Sequence, residues 1–281
     1  PAHGIAMNRT DIHEILNEES IRLTKSLGQN LLHDQNVLRR IVKAADLQSD
    51  DEVLEIGPGL GALTEHLLSE AKTLLAIEKD KRLVAHLEQR YGSNVNFKLM
   101  HHDALNYFIN LKTDWSNWKV VSNLPYSVAS PLVVDMALMP KGPRQLVITL
   151  QQEVAQRICA KPGTKEYGKL TLLVQSSYIP GTMFKISSHC FFPEPKVDSS
   201  CLVLHRREKP LLTHSLRKPF TAVVKQAFSQ RRKMMRKNLC ANWSGETVDS
   251  AMTSVGLDAK IRAERVTLEQ FVDLTKSLHN A

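Results

Sequence analysis

The segment from Asp51 to Gly61 most constrains the fold, because an apolar run leads directly into three glycines that alternate with other residues. An apolar run of this kind is typical of a buried parallel strand. Leu63 and Leu67 then follow at helical spacing, so a helix begins immediately after the turn. Gly57 and Gly59 allow the backbone of such a turn to approach a ligand closely. The segment therefore predicts a strand-to-helix turn that binds a nucleotide-like ligand.

The glycine-rich turn fits two classes of cofactor. Gly57, Gly59 and Ala62 also satisfy the G-x-G-x-x-G/A fingerprint of dinucleotide-binding proteins, so a nicotinamide or flavin enzyme remains an alternative. An oxidoreductase is disfavoured because the sequence offers no acid-base pair for a hydride site and because its tail is basic.

Acidic residues follow the next two predicted strands. The strand over residues 73–77 ends in Glu78, where a carboxylate can accept hydrogen bonds from both ribose hydroxyls. The strand around residues 95–99 is followed by Asp103, and an acid there suits the amino group of an adenine. Glu78 suits both classes of cofactor, whereas Asp103 favours S-adenosylmethionine. Taken singly, each acid is equally well interpreted as the N-cap of the following helix.

The fourth strand end carries Asn123-Leu124-Pro125-Tyr126. The Asn123 amide oxygen and a backbone carbonyl of Leu124 or Pro125 can accept hydrogen bonds from an exocyclic amino group. Pro125 removes a competing backbone donor, and the ring of Tyr126 offers a face on which a base can stack. The motif indicates methylation of a base nitrogen, whereas a strand-to-helix turn with a buried tyrosine is the structural alternative.

Several motifs together resemble the ribosomal RNA adenine dimethyltransferases. They cover almost everything after residue 20 and are Lys25–Leu32, Glu55–Thr64, Asn123–Tyr126, Phe191–Ser199, Gln230–Lys233 and Arg262–Glu264. The resemblance implies a Rossmann-like class I methyltransferase sheet. It also implies cofactor contacts by Asn30, Leu32, Gly57, Glu78, Asp103 and Asn123. The target adenine would be framed by Asn123, Leu124, Pro125, Tyr126 and Phe191.

The activity implied by this resemblance is N6,N6-dimethylation of two adjacent adenosines near the 3′ end of small-subunit (16S) ribosomal RNA, linked to subunit biogenesis. S-adenosyl-L-methionine would be converted to S-adenosyl-L-homocysteine, and no metal is expected. A large-subunit rRNA adenine methyltransferase of the antibiotic-resistance type and a non-catalytic ribosome-assembly relative remain the alternatives. His101 and His102 stand where the family more often has a glycine before Asp103. Because neighbouring residues of a strand point to opposite faces, they are not expected to share a metal ion.

Positive charge is concentrated in the C-terminal part of the chain. The formal net charge is +8, with a sequence pI near 9.3. The residues expected to bind RNA phosphates are Arg231, Arg232, Lys233, Arg236 and Lys237. A solvated helix face is the alternative interpretation.

The predicted organisation has three parts. Residues 1–20 form an N-terminal extension, residues 21–207 the methyltransferase domain, and residues 208–281 a helical RNA- and ribosome-binding domain. Within the second part, strands are expected over residues 118–122 and 146–150, with a helix over residues 127–139 between them. Residues 171–178 and 197–205 are expected to add antiparallel edge strands. In the tail, Thr267 and Gln270 predict a capping box.

The remaining features are unspecific. No run approaches the roughly 18 apolar residues of a membrane-spanning helix, and the chain is expected to be cytoplasmic and monomeric. Four scattered cysteines are expected to be reduced and to carry no chemistry. Residues 1–6 are expected to be foreign, with Met7 as the natural start.

Overall fold

A computed structural model describes residue 7 and residues 9–24, 28–109 and 113–279, without the side chains of residues 108 and 109. The predictions for residues 1–6 and for Lys25, Ser26 and Leu27 lie outside these residues. The strands are β1 Leu31–Leu32, β2 Glu52–Ile56, β3 Thr73–Glu78, β4 Phe97–His101, β5 Trp118–Asn123, β6 Gln145–Gln151, β7 Tyr178–Ile186, β8 Phe191–Phe192 and β9 Ser199–Arg206. The helices are α1 Arg9–Glu18, α2 Gln35–Ala45, α3 Ala62–Glu70, α4 Lys81–Tyr91, α5 Ala104–Ile109, α6 Ala129–Leu138, α7 Gln152–Ile158, α8 Lys169–Gln175, α9 Arg217–Ala227, α10 Met235–Leu239, α11 Gly245–Ser254 and α12 Leu268–His279.

The described residues form two compact units. The first consists of the chain up to Met136 together with residues 141–155 and 181–205. The second consists of residues 137–140, residues 156–180 and the chain from Arg206 onward. The last segment of the second unit thus begins next to the boundary predicted at residue 207. Two earlier segments that the sequence assigned to the methyltransferase domain belong to the same unit.

A seven-stranded sheet with the order β4-β3-β2-β5-β6-β9-β7 dominates the first unit. The strands from β4 to β6 are parallel, and β9 pairs antiparallel with β6. This arrangement confirms the predicted Rossmann-like class. The apolar residues that predicted β2 are buried, and its Val53 and Leu54 are fully enclosed. A separate two-stranded sheet pairs β1 with β8.

The register of the parallel strands brings their carboxyl ends to one edge of the sheet. Ile56 at the end of β2 pairs with Ile77, and Glu78 at the end of β3 pairs with His101. The strand order reverses at β2, which has β3 on one side and β5 on the other. Open α/β sheets bind their ligands in the crevice at such a switch point. The loops after β2, β3, β4 and β5 therefore converge on the expected position of a ligand.

One predicted strand is wrong. Residues 171–178 were expected to be extended, but residues 169–175 form α8 and a strand begins only at Tyr178. The sequence Leu172-Leu173-Val174 is a short apolar run, and periodicity cannot distinguish a buried helix from a buried strand in such a run. The side chain of Thr171 accepts a hydrogen bond from the Gly168 N–H at 3.1 Å, which stabilises the first turn of the helix. The other predicted antiparallel strand, over residues 197–205, is confirmed as β9.

The second unit is built around its own apolar core, in which Phe220 and Phe271 are fully buried. Among the described residues after Arg206, every regular element is helical. The predicted capping box at the start of α12 is confirmed, because Thr267 N–H donates to Gln270 Oε1 and Gln270 N–H donates to Thr267 Oγ1. Across the described chain, no helix has both the length and the apolar character that crossing a bilayer requires.

Candidate active site

A cavity of about 220 Å³ lies in the first unit, at the carboxyl ends of the parallel strands. It is lined by ten of the eleven residues that the sequence assigned to cofactor binding or catalysis. These are Asn30, Leu32, Gly57, Gly59, Glu78, Asp103, Asn123, Leu124, Pro125 and Tyr126. The eleventh, Phe191, is not among the described residues that line this cavity. Their functional roles stay predictions, but the fold brings these ten positions into one cavity.

The glycines of the turn after β2 have backbone conformations that other residues rarely adopt. Gly57 and Gly59 have φ values of 67° and 63°. A Cβ atom at Gly57 would lie 3.0 Å from Pro125 Cγ, and one at Gly59 would lie 2.6 Å from Leu31 Cδ2. The turn therefore requires glycine both for its conformation and for close packing against Pro125.

The carboxylate of Glu78 is 6% exposed and accepts hydrogen bonds from backbone groups. The N–H groups of Lys79 and Asp80 each donate to Oε1 at 2.8 Å, and the N–H of Gly59 donates to Oε2 at 3.3 Å. Burial raises the pKa of this carboxyl, although the three hydrogen bonds act in the opposite direction. Asp80, rather than Glu78, is the N-cap of α4. The contacts with the turn and with Lys79 and Asp80 fix the Glu78 side chain in the cavity wall.

The carboxylate of Asp103 has two hydrogen-bond partners among the described residues. Lys79 Nζ lies 2.7 Å from its Oδ2, and the N–H of Leu105 donates to Oδ1 at 3.1 Å. The hydrogen bond from Lys79 holds the pKa of Asp103 below its ordinary value. The contact with the Leu105 N–H is a helix-capping hydrogen bond. Asp103 therefore caps the following helix, as the alternative interpretation expected, and it also lines the cavity.

Asn123 is held by its nitrogen and leaves its oxygen unpaired. Its Nδ2 donates to the backbone carbonyl of Asn30 at 2.9 Å. Its Oδ1 is buried, and no described residue donates a hydrogen bond to it. Because the amide nitrogen has a fixed acceptor, the amide orientation is set and the oxygen is presented as an acceptor.

Tyr126 and Phe191 pack edge to face. Their ring centroids are 6.4 Å apart, with an interplanar angle of 65°. The Tyr126 hydroxyl is hydrogen-bonded to Ser199 Oγ, and burial raises the pKa of Tyr126. Phe191 is only 2% exposed. Since a base sandwiched between two rings requires them to be nearly parallel, this pair would have to rearrange to enclose one.

Glu55 is a cavity residue to which the sequence assigned no role. It lies in β2, is fully buried at 1% exposure, and accepts a hydrogen bond from Thr64 Oγ1 at 2.7 Å. Burial raises the pKa of this carboxyl to about 8, and the charge of Glu78 raises it further against the effect of Thr64. An acid between Leu54 and Ile56, in the buried part of the strand, was the available signal in the sequence.

The residues predicted to bind RNA fall into two groups. Arg231 donates to the backbone carbonyls of Lys165 and Tyr167, and Arg236 forms a bidentate ion pair with Asp249. The side chains of Arg232, Lys233 and Lys237 are exposed and make no hydrogen bond or ion pair with another described residue. The first two therefore support the structure of the second unit, whereas the other three present their charges to solvent.

The two adjacent histidines make separate contacts. His101 Nε2 lies 3.2 Å from the carbonyl of Lys79, and His102 Nδ1 lies 3.0 Å from the carbonyl of Asp103. Within the described ranges, no group of three or more His, Cys, Asp or Glu residues is arranged to hold a metal ion.

The sheet order, the glycine-rich turn and the acids at the strand ends define a class I S-adenosylmethionine-dependent methyltransferase. A family model described as ribosomal RNA adenine dimethylase matches residues 21–280. The chain belongs to this family, which confirms the resemblance identified from its motifs.

Individual relatives agree with this assignment. A Clostridium botulinum (strain Loch Maree / Type A3) protein named ribosomal RNA small subunit methyltransferase A is 38% identical over 269 residues, covering 95% of this chain and 98% of that protein. The crystal structure of a dimethyladenosine transferase from Plasmodium falciparum has a TM-score of 0.73 at 25% identity, covering 87% of this chain and 95% of that one. The crystal structure of the 23S rRNA methyltransferase ErmE has a TM-score of 0.66 at 26% identity, covering 89% of this chain and 100% of that one.

Proposed function

We propose that this protein transfers methyl groups from S-adenosylmethionine to N6 of two adjacent adenosines near the 3′ end of small-subunit ribosomal RNA, two to each base. The relative from Clostridium botulinum carries the name of a small-subunit enzyme and matches nearly the full chain. The observation that supports the chemistry best is the buried, unpaired Oδ1 of Asn123 in the cavity wall. Among the described residues it is an acceptor without a donor, as recognition of an amino group requires.

The cavity residues fit S-adenosylmethionine. A carboxylate has about four acceptor positions, and Glu78 uses three of them for backbone N–H groups, so it retains capacity for ribose hydroxyls. Asp103 would accept from the adenine amino group, while the left-handed backbone at Gly57 and Gly59 forms the turn that lines the cavity. When bound, S-adenosylmethionine supplies an electrophilic methyl group on a sulfonium.

Asn123 and Leu124 would hold the target amino group. The carbonyl of Pro125 already accepts from the Val128 N–H at 3.1 Å, so the carbonyl of Leu124 is the better second acceptor. Two hydrogen bonds from the adenine N6 group to Asn123 Oδ1 and to this carbonyl would draw the nitrogen lone pair out of the ring. Most of the rate enhancement then comes from orientation and from fixed dipoles.

The aromatic residues would contribute to base binding unequally. Tyr126 lines the cavity and offers a stacking face, worth roughly 1–3 kcal/mol for a base. Phe191 would contribute mainly by packing edge-on against the Tyr126 ring and holding it in place. The adenine has to leave its own stack to reach this site, which favours bases in a loop of folded RNA. Phosphates of that RNA would contact Arg232, Lys233 and Lys237.

A labelling experiment tests the proposed function. The protein is incubated with radiolabelled S-adenosylmethionine and unmethylated small subunits, and the labelled nucleotides are mapped. We expect N6,N6-dimethyladenosine at two adjacent positions near the 3′ end. Large subunits lacking adenine methylation serve as the parallel substrate, because the fold is also similar to that of a 23S rRNA methyltransferase. Label that enters only the large subunit would refute the proposal.

We further propose that the enzyme acts in the cytoplasm as a monomer and without a metal ion. A sulfonium methyl group is already electrophilic, and a protonated adenine amino group loses its proton readily to water, so the chemistry needs neither a Lewis acid nor a protein base. Protein that has been treated with EDTA and then freed of the chelator should therefore methylate small subunits, kept intact by magnesium, as fast as untreated protein. Sedimentation of the free protein would report its oligomeric state.

A further inference from the structure

The N-terminal segment contributes to the wall of the cavity. Met7 and Ile12 both line it, and they are 2% and 0% exposed. Neither residue belongs to the strand-end motifs that define the class of enzyme. Gln35 Nε2 donates to the carbonyl of Met7 at 2.8 Å and fixes the start of this segment on α2.

The helix α1 packs on the glycine-rich turn. Met7 and Ile12 share one apolar cluster with Leu60, which lies in the turn, and with Leu83 of α4. All four of these residues also line the cavity. The cluster therefore joins the N-terminal segment to the backbone that would hold the cofactor.

A histidine connects the end of α1 to the same turn. His86 Nδ1 lies 2.6 Å from Glu19 Oε1, and His86 Nε2 lies 3.3 Å from the backbone carbonyl of Leu60. His86 is buried, whereas the side chain of its partner Glu19 is 34% exposed. His86 therefore links Glu19, just after α1, to Leu60 in the glycine-rich turn, so that a shift of α1 would also shift the turn.

The same helix approaches the aromatic pair beside the target-base motif. The rings of His13 and Phe192 have centroids 4.4 Å apart, and the Arg9 guanidinium lies 5.9 Å from the Phe192 ring centroid. Phe191, the neighbour of Phe192 in β8, packs against Tyr126. Contacts of α1 thus reach both the glycine-rich turn and the strand that supports the stacking residue.

We propose that α1 is a working part of the cofactor site. Met7 and Ile12 complete its wall, and the chain of contacts from Glu19 through His86 to Leu60 holds the helix in place so that bound S-adenosylmethionine leaves slowly. This inference rests on the proposed function, since it takes S-adenosylmethionine as the ligand of the cavity. If α1 has to move before S-adenosylmethionine can leave, weaker packing of α1 should mainly raise the dissociation rate of the ligand, which is therefore the quantity to measure.

The first test removes the charge of Glu19. The full-length Glu19→Gln variant is loaded with radiolabelled S-adenosylmethionine, and its displacement by excess unlabelled S-adenosylhomocysteine is followed. We expect displacement about fivefold faster than in the wild type, which corresponds to a loss of ~1 kcal/mol. The matched control is Glu18→Gln, which removes the same charge at an exposed position one residue earlier.

The second test separates ligand contact from helix packing. Ile12 lines the cavity, whereas Ile15 packs on the same apolar cluster and is not a lining residue. We expect Ile12→Ala to weaken S-adenosylmethionine binding by about fivefold in calorimetry, and Ile15→Ala by less than about twofold. Thermal unfolding of both variants without ligand reports their loss of stability separately.

Equal displacement rates for Glu19→Gln and Glu18→Gln, with equal affinities for the two isoleucine variants, would overturn the role of α1. Failure of the wild-type protein to bind S-adenosylmethionine would instead overturn the proposed function. The two failures are therefore distinguishable in the same set of measurements.

Discussion

The side chains of Glu78 and Asn123 in the cavity wall differ in how their oxygens are hydrogen-bonded. The Glu78 carboxylate is satisfied by three backbone N–H groups, whereas Asn123 Oδ1 has no donor among the described residues. An unpaired buried acceptor costs about 1–3 kcal/mol. Asn123 is therefore poised for an external donor, while Glu78 is held rigidly for a ligand that adds to its existing partners.

Substitution of Asn123 tests this difference. Asn123→Ala should lower the rate of methyl transfer about a hundredfold, the typical effect of removing one preorganised polar group at a reacting centre. Asn123→Asp should retain more activity, because it keeps an acceptor, although it loses the donor to the Asn30 carbonyl. Rates would be measured on small subunits with saturating S-adenosylmethionine. An alanine variant within threefold of the wild type would contradict the role of this oxygen.

Glu55 predicts a dependence of stability on pH. Its carboxyl binds a proton more tightly in the folded protein, with a pKa raised from the ordinary 4.5 to about 8. Its contribution to folding is fully present below the ordinary pKa and is lost as the pH rises to about 8. Between these two values the free energy of unfolding falls by at most about 1.4 kcal/mol per pH unit.

Glu55→Gln should therefore flatten the fall in unfolding temperature between pH 5 and pH 8, and should stabilise the protein at the upper end. Glu52→Gln, in the same strand, is the control and should follow the wild-type curve. A Glu55→Gln curve that is parallel to the wild type would show that this carboxyl does not titrate in that range.

At the scale of elements, the parallel strands β2, β3 and β5 were predictable because their apolar runs lead into glycine, acid or Asn123. Such runs predict both the position of a strand and the edge of the sheet at which functional residues lie. The helix α8 was not predictable in this way, because its apolar run is too short for its period to be read. The ends of the strands were predicted less accurately than their positions. The strand expected from Val95 begins at Phe97, and Val95 itself is exposed.

The residues of the site show the same limit. Asn30 and Leu32 were implied only by the family resemblance. The other eight cavity residues could be named because motifs after consecutive strands converge at one edge of the sheet. Met7 and Ile12 could not, because their place in the wall depends on how α1 packs. The division of Arg231 from Arg232 likewise depends on carbonyls that only the folded chain brings within reach.

The capping box of α12 supports a prediction at the same scale. Thr267→Ala removes the hydroxyl that accepts from the Gln270 N–H and should lower the free energy of unfolding of the second unit by about 1 kcal/mol. Chemical denaturation would measure the change. Thr253→Ala, at an exposed position in α11, is the control and should change stability by less than about 0.5 kcal/mol. Equal losses of stability in the two variants would show that the capping box does not stabilise the second unit.

At the scale of the whole molecule, the net charge of +8 favours RNA binding only through cationic side chains that are free to contact phosphate. The ion pair with Asp249 and the bonds to backbone carbonyls remove Arg236 and Arg231 from that group. Affinity for RNA should then depend on the exposed cations Arg232, Lys233 and Lys237 more than on the total charge.

Neutralising these three residues to glutamine should reduce the slope of log affinity against log salt by roughly two, since each phosphate contact contributes about 0.7–0.9. Affinity for S-adenosylmethionine should be unchanged. The control variant replaces Lys72, Lys81 and Lys98 by glutamine, which removes the same charge from exposed positions in the first unit. RNA binding would be followed by filter retention over a range of salt concentrations. Identical slopes for the two triple variants would refute the assignment.

The contact between position 57 and Pro125 limits how this enzyme can diverge. The glycine of the cofactor turn leaves only the space that the proline ring of the base motif fills. A larger side chain at either position would require the other to move away, so the two motifs constrain each other. Efforts to retarget the enzyme to another nucleobase by grafting a foreign tetrapeptide after β5 will succeed only when the donor's glycine turn is transplanted with it.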